Sequence, residues 1–247
     1  MEFLEKTIDR LRAFEPDEGY YGAFSGGKDS QAMYECAKMA NVKVDWHFHK
    51  TSVDPPQLLK FIRQNYPDVE WRQPTLTMFQ LILKNKMLPT RRARFCCRYL
   101  KEGGGEGRVV LVGVRAQESS TRSKYSMVEA CRNSHQTLVR PILDWSLNQV
   151  WGLLSNNNIQ HCELYDSPYS FKRIGCIGCP MAGKGVWKQF RLFPKHKHAY
   201  LNTIKKLMDM GRYSDFNSAD AVLRYWINGV KKDVFLKQDK QERFCFD

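Results

Sequence analysis

Tyr20-Tyr21-Gly22-Ala23-Phe24-Ser25-Gly26-Gly27-Lys28-Asp29-Ser30, running on into Gln31-Ala32-Met33-Tyr34-Glu35-Cys36-Ala37-Lys38-Met39, decides the fold. The opening stretch, Tyr20 to Phe24, reads as a buried strand, and the stretch from Gln31 to Met39 reads as a helix. A strand, a glycine turn and a helix N-terminus together make an anion site. Glycine lets backbone N–H groups approach an anion closely, and the unpaired N–H groups and helix dipole then hold its charge. Lys28 adds a point charge, and Ser25 and Ser30 add hydroxyl donors. The Walker spacing G-x-x-x-x-G-K is absent. The plainer alternative is a Gly-Gly turn capped by Asp29 or Ser30.

Outward from this stretch, strand and helix patterns alternate. Leu4, Ile8 and Leu11 predict an amphipathic helix over residues 2–14, and Val42 to His49 alternates as a strand. Asp54-Pro55-Pro56 starts a helix that ends near Tyr66-Pro67, and residues 77–85 form another. Arg91 to Lys101 is basic and helical, Arg108 to Val114 is the clearest buried strand, and a helix covers about 146–155. Residues 163–184 read as a loop, helices dominate 186–229, and the charged tail from Lys231 to Asp247 is expected to be mobile. The alternation predicts an α/β fold, a doubly wound, mostly parallel sheet with a helical C-terminal part. The expected division is residues 1–185 and 186–247.

The chain has 247 residues, 43% of them hydrophobic, enough for a proper core. No run of about 18 apolar residues exists, so no membrane span is expected. The acidic, amphipathic start is unlike a secretory or transit signal, and a cytoplasmic protein is expected. The net charge of +13 favours a polyanionic partner, either nucleotide phosphates or a nucleic acid.

Eight cysteines in a reducing compartment point to metal or redox chemistry more than to disulfides. Cys96-Cys97 and Cys176-Ile177-Gly178-Cys179 form two pairs about 80 residues apart. Gly175, Gly178 and Pro180 suit a tight knuckle that turns two thiolates inward. Adjacent side chains diverge, which is awkward around one tetrahedral ion, whereas a cubane offers separate iron corners. A [4Fe–4S] cluster is the expected occupant, with zinc or free redox thiols as alternatives. Cys36 reads as a core thiol, and Cys162 lies near the second pair without a spacing argument.

The chain resembles the phosphoadenosine phosphosulfate and adenosine phosphosulfate reductases along nearly all its length. The matching stretches are Ser25 to Ser30, Arg94 to Lys101, Val112 to Arg122, Arg140 to Trp145, and Leu164 through Cys179. Ser25 to Ser30 resembles the PP-loop, S-G-G-x-D-S, of enzymes that cleave ATP between the α and β phosphates. The resemblance implies a sheet of the PP-loop, adenine nucleotide α-hydrolase-like type. It implies that Cys96, Cys97, Cys176 and Cys179 hold a [4Fe–4S] cluster, and that Arg115 and Arg122 line the nucleotide and its anionic group. Arginine suits that task because its planar fork meets two phosphate or sulfate oxygens. A Mg²⁺ ion would be held mainly by nucleotide oxygens. Asp29 then reads either as a carboxylate assisting that metal or as a helix cap.

Three functions remain open. The intact S-G-G-K-D-S loop suits ATP, adenylation of an oxygen with loss of pyrophosphate, and displacement of AMP by sulfur from an outside or protein-bound donor. The charge suits a nucleic-acid acceptor, tRNA or DNA. Sulfonucleotide reductases instead attack sulfate sulfur with a thiolate of a C-terminal E-C-G-[I/L]-H motif, and a thioredoxin-like reductant then turns the enzyme over. That motif is absent, and Cys245, in Arg243-Phe244-Cys245-Phe246-Asp247, is the candidate nucleophile. The third reading is a non-catalytic module that binds nucleotide or nucleic acid.

Overall fold

The computed structural model describes residues 2–131 and 135–237. Along the chain come α1 (Glu2–Ala13), β1 (Tyr20–Ala23), α2 (Lys28–Ala40), β2 (Val44–His49), α3 (Pro56–Asn65), β3 (Glu70–Arg72), α4 (Met78–Asn85) and α5 (Phe95–Leu100). They are followed by β4 (Val109–Val112), β5 (Val128–Cys131), β6 (Gln136–Val139), α6 (Leu147–Asn156), α7 (Gly185–Leu192), α8 (Pro194–Asp209) and α9 (Ala219–Asn228). The chain forms two compact units, one from residues 1–50, 56–73 and 103–174, the other from 51–55, 74–102 and 175–247. The units therefore interleave along the chain, whereas the sequence reading divides it once, after residue 185.

The first unit holds the whole sheet, in the order β3-β2-β1-β4-β6-β5. Every pairing is parallel except that of β5 with β6. β1 lies inside, with Gly22 opposite Trp46 on β2 and Leu111 on β4. A Cβ on Gly22 would stand 2.3 Å from the Trp46 ring, so glycine admits the indole there. Phe24, Tyr34, Trp46 and Tyr66 form an aromatic core, with centroid separations of 4.6 Å for Phe24–Tyr66 and 4.9 Å for Tyr34–Trp46. β2 and β4 flank β1 on opposite sides, so connections leave β1 in both directions. The crevice beyond the strand C-termini at such a switch point is where open α/β sheets bind ligands.

α1 is tied down by two long-range bonds. Tyr20 Oη donates to the Leu11 carbonyl at 2.7 Å, and Trp145 Nε1 donates to Thr7 Oγ1 at 2.9 Å. Arg10 grips Asp144 with both guanidinium nitrogens at 2.6 and 2.8 Å.

The second unit is helical. Thr77 and Gln80 cap α4 reciprocally. The buried Tyr200 on α8 gathers Phe79, Phe190 and Trp226 at 5.3, 5.5 and 5.3 Å. Residues 232–237 are helical, and Phe235 is buried against Tyr225 at 5.6 Å. This corrects the expected mobile tail over those residues: an aromatic anchor holds them. Among the described residues no helix is long and apolar enough to cross a membrane.

β3, β5 and β6 go unread in the sequence because they are three or four residues long and partly exposed, leaving no alternation to detect. The basic segment at Arg91 is helical only from Phe95, and α2 begins at Lys28 rather than Gln31.

Arg10, ahead of the burial that opposes it, lowers the Asp144 pKa from 3.8 to about 2. A depressed carboxylate pKa stabilises the fold above about pH 4, and that contribution is lost as pH falls towards 2. Asp144 is half exposed, so Asp144→Asn is expected to cost only about 1 kcal/mol at neutral pH and less at pH 2–3, read by denaturant unfolding at both pH values.

Candidate functional site

The loop after β1 is braced from within. Gly26 takes φ +68°, and a Cβ there would lie 2.6 Å from Ile62 Cδ1 and 2.8 Å from Leu58 Cδ1, so α3 packs directly on the loop. Ser30 Oγ donates to the Gly27 carbonyl at 2.8 Å and accepts from the Ser25 N–H at 3.2 Å. The hydroxyls of Ser25 and Ser30 lie 3.0 Å apart. Gly27 is the N-cap of α2 and supplies no side-chain cap. Because α2 starts at Lys28, the residues Lys28, Asp29 and Ser30 form its first turn, where backbone N–H groups lack intrahelical partners.

One carboxylate organises the charges. Asp29 Oδ2 accepts from Lys28 Nζ at 3.0 Å, and Asp29 Oδ1 accepts from Arg115 Nε at 2.5 Å. Both cations are buried, at 4% relative exposure each. Arg115 stands three residues beyond β4, and its Nη1 also reaches Gln117 Oε1 at 3.1 Å. The loops after β1 and β4 are thus joined at the switch point. Gly113 makes this possible: a Cβ there would sit 3.0 Å from the Asp29 carbonyl oxygen and from Ser30 N and Cα. Asp29 is not a cap, because its oxygens go to side chains rather than to helix N–H groups. Arg122 pairs with Glu118, which also accepts from the Arg115 N–H at 3.1 Å and approaches Arg173 at 3.6 Å.

Tyr165 is a residue that sequence reasoning gave no role. Its Oη accepts from the Lys28 N–H at 3.0 Å, at the head of α2. Lys28 Nζ lies 5.5 Å over its ring and reaches the Lys172 carbonyl at 3.4 Å. Burial raises the Tyr165 pKa, so the group is a neutral phenol. The stretch Leu164-Tyr165-Asp166 carried the only signal, and only as part of a resemblance.

The second unit holds the cysteine pairs. Gly178 takes φ +77°, and its missing Cβ leaves room for the Tyr200 ring, 2.6 Å from where that atom would be. Tyr200 Oη donates to the Ile177 carbonyl at 3.1 Å, and the Gly178 N–H donates to Gln189 Oε1 at 2.9 Å. The knuckle is therefore held by α7 and α8. Cys96 and Cys97 open α5. Hydrogen bonding to Cys97 and burial raise the Cys96 pKa, with the charges of Cys97, Cys176 and Cys179 adding to the effect. The same bond from Cys96, aided by Arg94 and Lys101, lowers that of Cys97. Lys101 is exposed as a residue, yet its ammonium faces Cys176 and Asp54, whose charges raise its pKa, that of Cys176 most. The four thiols share one electrostatic environment with cations to match.

Among the described residues, no three of His, Cys, Asp and Glu converge closely enough to be read as a metal site. The fit of the cysteine set to a cluster therefore rests on donor chemistry: four thiols from two segments, one lowered towards thiolate, beside Arg94 and Lys101. The described cysteines are all free of disulfides. Burial pushes Cys36 up to about 12 and Cys162 to about 11, which keeps both as inert thiols. Cys245 lies outside the described residues.

A family model of the phosphoadenosine phosphosulfate reductase domain matches residues 20–182. An uncharacterized protein of Methanocaldococcus jannaschii is 28% identical over 235 residues, covering 83% of this chain and 56% of that protein. The adenosine 5'-phosphosulfate reductase of Oceanobacillus iheyensis is 26% identical over 151 residues, covering 58% of this chain and 60% of its own. The chain thus spans little more than half the length of these relatives. Among solved structures, phosphoadenylyl-sulfate reductase from Candida auris superposes with TM-score 0.53 at 17% identity, covering 69% of this chain and 88% of that one. Candida glabrata FMN adenylyltransferase with FAD and pyrophosphate gives 0.51 at 15%, covering 71% and 61%. At these identities the two structures speak for the fold alone.

Gly113→Ala is expected to weaken adenine-nucleotide binding at least 10-fold, since the Asp29 and Ser30 backbone would have to shift by a few tenths of an ångström to admit the new methyl, and to cost about 1–3 kcal/mol of stability. Calorimetric titration and thermal unfolding check both effects. Tyr165→Phe removes the acceptor that the Lys28 N–H now uses, so pyrophosphate is expected to bind about 2- to 10-fold tighter. Weaker binding in the same titration identifies Tyr165 as a direct ligand contact.

Proposed function

As the chain belongs to the phosphoadenosine phosphosulfate reductase domain family, we propose that it is a nucleotide-dependent sulfur-metabolism enzyme that cleaves ATP between the α and β phosphates. The observation that carries this reading is the pair of buried cations, Lys28 and Arg115, gathered on Asp29 beside an intact glycine loop. Two fixed cations and a helix N-terminus suit the charge of pyrophosphate better than that of a single ester phosphate.

In this reading the N–H groups of Gly26, Gly27 and Lys28, with the hydroxyls of Ser25 and Ser30, bind the β and γ phosphates. Lys28 and Arg115 stabilise charge developing on the leaving pyrophosphate, and Asp29 holds both in place. Arg122 serves the anionic end of the nucleotide, and a Mg²⁺ ion would be held mainly by phosphate oxygens. An acceptor oxygen attacks the α-phosphorus, the Pα–O bond to the β phosphate breaks, and pyrophosphate leaves with that electron pair. Hydrosulfide from the donor then attacks the activated carbon or phosphorus of the acceptor, the bond from that atom to the AMP-bearing oxygen breaks, AMP leaves with that electron pair, and the proton on sulfur passes to solvent. The acceptor is a nucleic acid, tRNA or DNA, and the sulfur comes from a separate donor.

Cys96, Cys97, Cys176 and Cys179 would hold a [4Fe–4S] cluster, which supplies structure and local electrostatics when bound. A cluster held by all four thiolates would leave no ligand position for the sulfur to be transferred.

A second reading is favoured by the adenosine 5'-phosphosulfate reductases among the relatives. There the Cys245 thiolate attacks the sulfate sulfur, the nucleotide leaves as AMP or its 3'-phosphate, and a thioredoxin-like dithiol reduces the resulting thiosulfonate to free sulfite.

Anaerobic incubation with ATP, adenosine phosphosulfate and phosphoadenosine phosphosulfate in parallel separates the two. AMP and pyrophosphate are expected from ATP, with Lys28→Ala lowering the rate about 100- to 1,000-fold. Sulfite from either sulfonucleotide, abolished in Cys245→Ser, replaces the first reading with the second. Anaerobically purified protein is expected to be brown with about four irons per chain, and Cys176→Ser to lose most of that iron. A colourless protein with one zinc removes the cluster.

A further inference from the structure

The positive charge belongs to one unit. Among the described residues the sheet-bearing unit has 17 Lys and Arg against 17 Asp and Glu, whereas the helical unit has 19 against 6. Two stretches of the helical unit are free of acid altogether: residues 74–101 hold seven Lys and Arg and no Asp or Glu, and residues 175–208 repeat those numbers. The stretches meet at Arg91. Its Nε donates to the Pro180 carbonyl at 3.4 Å, and its Nη2 fits where a Cβ on Gly183 would lie 3.0 Å away. Arg94 and Lys101 face the thiols. Arg92, Arg98 and Lys184 are exposed, and none has a carboxylate at ion-pair distance among the described residues. The same two stretches expose two large apolar side chains, Tyr99 at 43% and Met181 at 56%.

So uneven a charge costs self-repulsion unless a polyanion relieves it. A single nucleotide needs few cations and finds them in the other unit. Guanidinium and ammonium groups interleaved with an exposed aromatic ring are the makings of a single-strand surface: cations follow the phosphates, and a base stacks on the ring. We infer that the surface formed by Arg92, Arg98, Tyr99, Met181 and Lys184 binds a single-stranded nucleic acid segment. This deepens the sulfur-transfer reading by locating its acceptor, although binding itself does not depend on turnover.

Fluorescence anisotropy of the full chain with labelled single-stranded RNA, single-stranded DNA and a DNA duplex tests it. With one phosphate on each of Arg92, Arg98 and Lys184, single-strand affinity is expected to fall about 20-fold between about 50 and 200 mM salt. The triple variant Arg92→Ala, Arg98→Ala, Lys184→Ala is expected to lower the log–log salt slope by about 2, and Arg92→Gln or Arg98→Gln alone by about 0.7 each, at unchanged unfolding temperature. Tyr99→Ala is expected to weaken the single strand about 10-fold and the duplex little. Salt-insensitive binding, a slope untouched by these variants, or equal competition by polyglutamate, which indicates an acidic protein partner, each overturns the inference. Preference for the duplex overturns its single-strand form. ATP turnover is measured on the same preparation. Turnover without nucleic-acid binding removes this surface and keeps the catalytic reading, and binding without turnover does the reverse.

Discussion

Asp29 is the group on which the first unit's chemistry depends. It is the second residue of α2, yet its two oxygens are spent on Lys28 from its own turn and Arg115 from the far side of β1. Two cations at 4% exposure are tolerable only because a carboxylate stands between them. Taking the carboxylate away would leave both desolvated and unpaired, a larger penalty than the net worth of the pairs. The shared ion also dictates backbone geometry. β1 and β4 must be neighbours in register for Arg115 to reach, and the residue at 113 must lack a Cβ for the β4 loop to lie on the first turn of α2. A parallel sheet with its switch point at β1 meets both demands.

How much of this was legible depends on separation along the chain. The loop from Ser25 to Ser30 is local: glycines, hydroxyls and a lysine within six residues, between a strand and a helix, whose mutual bonds run over five residues or fewer. Residue pattern alone therefore exposed it. Arg115 is 86 residues from Asp29, and no periodicity links them; its place after a strand C-terminus and the resemblance mark it as a ligand residue, but neither shows its partner. Tyr165 is 137 residues from Lys28, and nothing in its own stretch announces an anion-loop contact. The interleaved units escaped for a related reason. The helical unit is assembled from segments 51–55, 74–102 and 175–247, and only the last is long enough to read as a helical body on its own. Its centre, Tyr200 with Phe79, Phe190 and Trp226, joins residues that share no pattern in sequence.

The cysteine knuckle shows how a constellation can be legible in kind while its support is not. C-x-x-C with flanking glycines predicts a turn, and Gly178 at φ +77° bears that out. The turn is fixed, however, by a tyrosine ring packed where a side chain would be, by the amide of Gln189, and by the Val53 carbonyl accepting from the Ile177 N–H at 2.8 Å. These supports fix the turn that carries Cys176 and Cys179, and Arg94 and Lys101 make the field around the thiols positive. A site prepared in this way lowers the cost of gathering thiolates.

The two units handle anions by opposite physics. Among the described residues of the sheet-bearing unit, cations and carboxylates are equal in number, and the cations at the loop are paired: Lys28 and Arg115 with Asp29, Arg122 with Glu118. Its field cancels over distance, and the buried donors at the loop are screened little by salt. In the helical unit cations outnumber carboxylates among the described residues, and Arg92, Arg98 and Lys184 are exposed. Its field reaches about a Debye length into solvent, attracts any polyanion, and weakens steeply with ionic strength. Short-range, geometric recognition suits a small nucleotide whose phosphates must be placed to within a bond's reaction distance. Long-range, forgiving attraction suits a polymer that must be captured first and positioned afterwards.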